Sequence, residues 1–231
     1  MNKYLKQILP VVAIAMLFGS VAVTESKAQG VLNEILKRMD AQNKSLTSLR
    51  ADVTMAKVDA NLGDDAQITQ GIANYMPRKG KDALVRIDWV KPDESLAVVD
   101  KTYVIYRPRL NQAYTGSTDN AKGNAKAGGA LAFMNMSRPQ LKANYNVAYL
   151  GEATVAGGVK TWHLALTPKT KMSYKSAEVW IDSDGFPVQS KVIENNNDTT
   201  TVLLSNLKKN VTIDTAVFKI KLPKNIKIIK G

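Results

Sequence analysis

The chain has 231 residues, a formal net charge of +12, one histidine and no cysteine. Without cysteine there is no disulfide framework, no thiol nucleophile and no attachment point for a lipid anchor, and a single histidine gives no basis for a transition-metal site, so no cofactor is expected. The length suits one domain held by core burial, and the basic charge suits anionic headgroups or acidic partners.

Lys3 and Lys6 precede an apolar run from Ile8 to Phe18, and Ser26-Lys27-Ala28 supplies a small-x-small cleavage site. Residues 1–28 therefore read as a secretory signal peptide and residues 29–231 as a single exported domain. The apolar run falls short of the roughly 20 residues that a membrane-spanning helix needs. Cleavage removes Lys3, Lys6, Lys27 and Glu25, which leaves the mature chain strongly basic and, by expectation, soluble and unanchored. Export and the lack of a recognised nucleic-acid-binding motif set nucleic acid aside as a partner.

The predicted elements begin with a helix in which Val31, Leu32, Ile35, Leu36 and Met39 recur at helical spacing, while Asn33, Glu34, Lys37, Arg38 and Asp40 take the other face. From Leu49 the pattern turns to alternation, with Leu49, Ala51, Val53 and Met55 against Arg50, Asp52 and Thr54, which predicts a strand. Strand-like runs follow over 67–75, 83–90, 95–99, 102–106 and 112–115. Short turn sequences separate them, such as Pro77-Arg78-Lys79-Gly80-Lys81 and Lys91-Pro92-Asp93-Glu94, and such gaps favour antiparallel neighbours. Residues 116–129 are rich in Gly, Ala, Asn and Lys and read as a loop. An apolar segment from Ala130 to Met136 comes next, then a helix with Ser137 as N-cap and Pro139 in its first turn, giving two short helices side by side. Strands are predicted again over 146–150, 160–167, 176–182, 186–194, 199–207 and 218–222. Hairpin chemistry stands at Ala156-Gly157-Gly158, at Asp182-Ser183-Asp184-Gly185 and from Asn195 to Asp198. The sum is mainly β with α: a large antiparallel sheet, one long helix and two short ones. A sheet that curls on itself must have its concave face filled by side chains, helices or a ligand.

The run from Trp89 to Tyr106 holds a tryptophan-bearing strand, a proline turn ahead of Asp93-Glu94-Ser95, a valine-rich strand, a tight turn and a strand ending in tyrosine. Leu131 to Arg138, Leu164 to Thr167, Asp184-Gly185 and Phe218 to Pro223 follow in order. In this succession the chain resembles the LolA-type periplasmic carriers of outer-membrane lipoproteins over nearly the whole mature length. The resemblance implies an incomplete, half-open antiparallel β-barrel, with helices covering its mouth over a hydrophobic cavity. It also implies a monomeric periplasmic carrier and not an enzyme. Its cargo would be acylated lipoproteins, its donor an inner-membrane ABC-type lipoprotein release complex, and its acceptor an outer-membrane receptor or the outer membrane itself. In the family an arginine before a proline, just ahead of the tryptophan strand, hydrogen-bonds the lid helices. Here Pro77 precedes Arg78. Arg78 is the counterpart by position from Gly71, with Lys79 next to it and Arg86 selected by counting back from Trp89.

The candidate cavity residues are Leu32, Ile35, Leu36 and Met39 on the helix, Trp89, Val98 and one of Ile105 and Tyr106 on strands, and Leu131, Phe133, Met134 and Met136 in the apolar segment. Each also suits an ordinary core. Ile105 and Tyr106 are strand neighbours and must face opposite ways. The adaptable methionines favour reading the apolar segment as a lid over reading it as a core plug. His163 stands between Trp162 and Leu164 with no nucleophile motif to serve, so it reads as structural and no catalytic residue is nominated. The lysines spread from Lys208 to Lys230 read as a solvated face. Beside the carrier stand three other readings: a lipid-sensing regulatory module, a glycolipid or phospholipid binder of the same fold, and a hydrolase.

Overall fold

The computed structural model describes residues 21–63, 65–79, 81–117 and 136–230, the side chains of 21–27 excepted. Helix α1 spans Val21–Ser45. It starts ahead of the expected cleavage point after Ala28, so a cut there would remove about two of its turns. Then come β1 (Leu49–Val58), β2 (Gln67–Arg78), β3 (Lys81–Trp89), β4 (Glu94–Val99), β5 (Thr102–Arg107), a 3-10 turn (Pro108–Leu110) and β6 (Gln112–Ser117). From Arg138 the chain forms α2 (Arg138–Asn144), β7 (Tyr145–Val155), β8 (Val159–Pro168), β9 (Tyr174–Ile181), β10 (Pro187–Glu194) and β11 (Thr199–Lys209). A second 3-10 turn (Thr215–Phe218) and β12 (Lys227–Lys230) complete it.

These strands make one 12-stranded sheet in the order β12-β6-β5-β4-β3-β2-β1-β11-β10-β9-β8-β7. Successive strands pair antiparallel because short turns join them; β12 pairs with β6 in parallel. The two ends of the order, β12 and β7, do not meet, so the incomplete barrel expected from the sequence is the fold observed.

The buried side chains fall into two clusters on this sheet. One gathers α1 and α2 onto β7, β8 and β9, through Leu32, Ile35, Leu36, Met39, Leu141, Tyr145, Leu164, Leu166, Ala177, Val179 and Ile181. Helix α1 is fixed there by polar contacts as well as apolar ones. The Arg38 guanidinium donates to the Ser183 carbonyl at 2.9 Å and lies over the Trp162 ring. Gly185, at φ +88°, sits so close that a Cβ would collide with the Arg38 backbone, so the turn before β10 needs glycine for both conformation and space. The other cluster runs along β1 to β5 and β11, with Phe186, Val188 and Val155 joining it. Among the described residues, no side chain of α1 or α2 belongs to this second cluster; Leu46, just past α1, does.

Helix α2 begins with Ser137 as its N-cap, as its sequence predicts, and the structure completes a capping box there: Ser137 accepts from the Gln140 backbone N–H, and the Gln140 side chain accepts from the Ser137 N–H. The Arg138 backbone N–H donates to Asp40 at 2.8 Å and its guanidinium to Asn33 at 3.1 Å, which ties α2 to α1. The strand predicted over 218–222 is not formed. Asp214 instead caps the 3-10 turn by accepting from the Ala216 N–H at 2.8 Å, and Phe218 is buried at its end, where the turn lies against β3 and β4.

Candidate functional site

On β1 to β6 the register lines up side chains that share one face, because paired residues on adjacent strands point the same way. The middle line is Ala51, Ala73, Ile87, Leu96, Ile105 and Tyr114, apolar except for the last hydroxyl. To one side runs Leu49, Tyr75, Val85, Val98, Tyr103 and Gly116. Gly116 makes room for the Tyr103 ring, since a Cβ there would stand 2.8 Å from the Tyr103 hydroxyl.

To the other side the line is polar: Trp89 pairs with Glu94, and Arg107 with Gln112, while Glu94 and Arg107 meet as an ion pair at 2.5 Å. The Glu94 carboxylate is 1% exposed and the Arg107 side chain 35% exposed, so the carboxylate lies inside and its partner at the surface. Arg107 also lies over the Tyr114 ring, 4.9 Å from its centroid, and Tyr114 donates to the Gln112 side-chain oxygen at 2.9 Å. The hydrogen bond that the guanidinium donates to Glu94 is the main reason it holds its proton even above its usual range.

Among the described residues, two buried side-chain polar atoms have no hydrogen-bond partner: the Tyr75 hydroxyl and the Trp89 indole N–H. Both residues are 3% exposed and both lie on these lines. Burial pushes the Tyr75 phenol well above its ordinary value of 10.0, so the hydroxyl keeps its proton. A buried donor left unpaired costs about 1–3 kcal/mol, which phenylalanine at either position would avoid.

The sequence model of the family described as outer membrane lipoprotein carrier protein LolA matches residues 63–221. The chain belongs to the LolA family. Among solved structures, an uncharacterised conserved protein from Thermus thermophilus is 14% identical, with 87% of this chain and 99% of that one aligned at a TM-score of 0.53, a likeness in fold. A putative outer membrane lipoprotein-sorting protein domain from Vibrio parahaemolyticus is 12% identical over 80% and 94% of the two chains, TM-score 0.47. The lipoprotein LppX from Mycobacterium tuberculosis is 16% identical over 79% and 99%, TM-score 0.45. A search of the curated proteins finds no match.

In this LolA-family chain the residues singled out from the sequence separate into two places. Leu32, Ile35, Leu36 and Met39 are together in the cluster under the helices, and Met136 packs against that cluster, partly buried. Trp89 and Ile105 are in the other cluster, with Val98 packed against it; Tyr106 falls on the opposite face from Ile105. Leu131, Phe133 and Met134 lie outside the described residues. Arg78 donates to the Asp82 carbonyl at 2.7 Å and to the Asp100 carboxylate at 2.6 Å, bridging the start of β3 to the turn between β4 and β5. Lys79 is exposed. Arg86 is on the outer face, bonded to Asp88 and Ser95.

His163 pairs with Glu178 at 2.8 Å and stacks on Trp180 with ring centroids 4.2 Å apart, on the side of β8 away from Leu164. Among the described residues no group of three or more His, Asp or Glu could hold a metal ion. Nor is any described helix long and apolar enough to cross a membrane. A groove of about 400 Å³ opens between α1 and strands β7 and β8, lined by Gly30, Val31, Glu34, Ile35, Tyr149, Glu152 and Trp162.

Sequence reasoning missed Tyr75, Glu94 and Arg107 as members of one face. In the sequence Glu94 belongs with Asp93 to a turn, and only the register of β4 against β5 reveals that it turns inward to meet Arg107. The signal that could have found it is the parity of Glu94, Leu96 and Val98 along one strand.

Proposed function

We propose that this LolA-family protein is an exported carrier that shields the acyl chains of lipoproteins on the inner face of β1 to β6 and moves them from the inner to the outer membrane. The observation that carries this reading is the division of the concave face: α1 and α2 fill the part over β7 to β9, while among the described residues no side chain of either helix belongs to the buried cluster along β1 to β5. Family membership supports it. Each buried methylene is worth about 0.8 kcal/mol, so chains in transit through water need such a surface, and a cover that opens at modest cost lets them leave. In this reading residues 1–28 are the cleaved signal peptide, the segment from Leu131 to Met136 is the lid and Arg78 its latch. No catalysis is required. An ABC-type release complex hands over the cargo and an outer-membrane receptor, or the outer membrane itself, accepts it.

The test is mass spectrometry of what co-purifies with the mature protein from its own periplasm, for wild type and for Arg78→Leu. The carrier reading expects acylated lipoprotein on both, with more of it retained by the variant. Free phospholipid alone would turn the reading toward a lipid shuttle or a sensing module, and no apolar ligand on either protein would end it.

A further inference from the structure

Orphaned donors are rarely left inside a well-packed core. In the helix-filled part of this molecule the rule is kept: the buried Tyr145 hydroxyl meets the Tyr174 hydroxyl at 2.5 Å and reaches Met172 sulfur at 3.7 Å. The two exceptions, Tyr75 and Trp89, both lie on the face assigned above to acyl chains. An indole N–H can only donate, and the Tyr75 hydroxyl has its hydrogen to give, so what satisfies them is an acceptor. A bare hydrocarbon chain has none. The carbonyl oxygen of an ester or amide linkage has two lone pairs and carries no charge that burial would penalise. Tyr75 stands opposite Val85 and Trp89 opposite Gly71, four positions apart along β3, which suits a ligand with more than one linkage better than a single carboxylic ester. The polar line beside Trp89, with Glu94 buried and Arg107 reaching the surface, marks the end of the face where polar parts of a ligand are tolerated.

Resting on the carrier reading, we propose that the Tyr75 hydroxyl and the Trp89 indole N–H are the donors that receive acyl-linkage carbonyl oxygens. The face then binds an esterified or amidated lipid in preference to one of the same chain length whose linkages have no carbonyl. Lipoprotein N-termini and free phospholipids share this chemistry.

The experiment measures equilibrium transfer from vesicles to the mature protein for two phosphatidylcholines that differ only in linkage: dipalmitoyl, with two ester carbonyls, and the dihexadecyl diether, with none. Wild type is expected to favour the diester by roughly tenfold, about 1.4 kcal/mol. Tyr75→Phe and Trp89→Phe each reduce that preference, and the double variant abolishes it, the readout being the ratio of diester to diether uptake within each protein. Because Tyr75→Phe removes an unpaired hydroxyl, it leaves the unliganded protein as stable as wild type or more so, and it carries the test even where Trp89→Phe folds poorly. A synthetic diacylated lipopeptide in competition with the diester vesicles distinguishes the two sources; sensitivity of either to the two substitutions supports the proposal. Equal uptake of diester and diether by wild type would overturn the proposal and leave the carrier reading standing. Uptake of neither lipid nor lipopeptide would remove both.

Discussion

The parts of the concave face over β7 to β9 and over β1 to β6 differ in how they treat a buried tyrosine. Over β7 to β9, Tyr145 has a hydroxyl partner in Tyr174 and sits under Leu36 and Leu141, an interior finished with the protein's own groups. Over β1 to β6, Tyr75 has none. Phenylalanine at position 75 would avoid an unpaired buried hydroxyl, whereas phenylalanine at position 145 would break a hydroxyl pair.

The largest test of this contrast is Leu36→Ala. Leu36 is completely buried between helix and sheet, so its loss should lower unfolding free energy by about 2–5 kcal/mol in denaturant titrations. Lipid uptake per folded molecule should not change; a parallel fall in uptake would mean that the two regions are one. Next is Arg107→Met, which removes the ion-pair partner of the buried Glu94 carboxylate. With Arg107 a third exposed, the expected loss is about 1–3 kcal/mol, below that of a fully buried pair. The double variant Glu94→Leu/Arg107→Met should recover most of it.

Alkaline unfolding gives a third comparison. Burial raises the folded-state phenol pKa of Tyr75 above its ordinary 10.0, so its contribution is intact below about pH 10 and is lost as pH rises beyond that. There the unfolded chain ionises while the folded one does not, a slope of about 1.4 kcal/mol per pH unit for one such group. Tyr75→Phe should flatten the alkaline limb of a stability-versus-pH curve. The smallest effect expected is from Ser137→Ala, which removes one half of the capping box of α2 and should cost about 1 kcal/mol, read as a modest drop in melting temperature.

The same division explains what could be read from the chain alone. Helix α1 was legible because Leu32, Ile35, Leu36 and Met39 repeat at helical spacing, and β1 because its burial alternates in step with its residues. The N-cap at Ser137 is a local device and is legible as one; its completion by the Gln140 side chain is seen only in the structure. Strand β7 was read only over 146–150, because past the irregularity between Tyr149 and Gly151 the residues turn small and polar on an edge with one neighbour. The C-terminal segment misleads because Phe218 alternates with lysines like a strand, yet Asp214 caps a turn that lies against β3 and β4. Within the site, Trp89, Val98 and Ile105 could be named from alternation. Their alignment with Tyr75, Glu94 and Arg107 could not, because cross-strand register depends on turn lengths and a bulge between Met76 and Arg78 that no periodicity records.

In a closed barrel the number of strands and their stagger fix the radius, and the backbone decides what fits inside. Here β7, 11 residues long, and β12 are edges with no strand joining them. The curl can therefore relax or tighten by small changes of twist spread over many strands, without breaking a rung of the ladder.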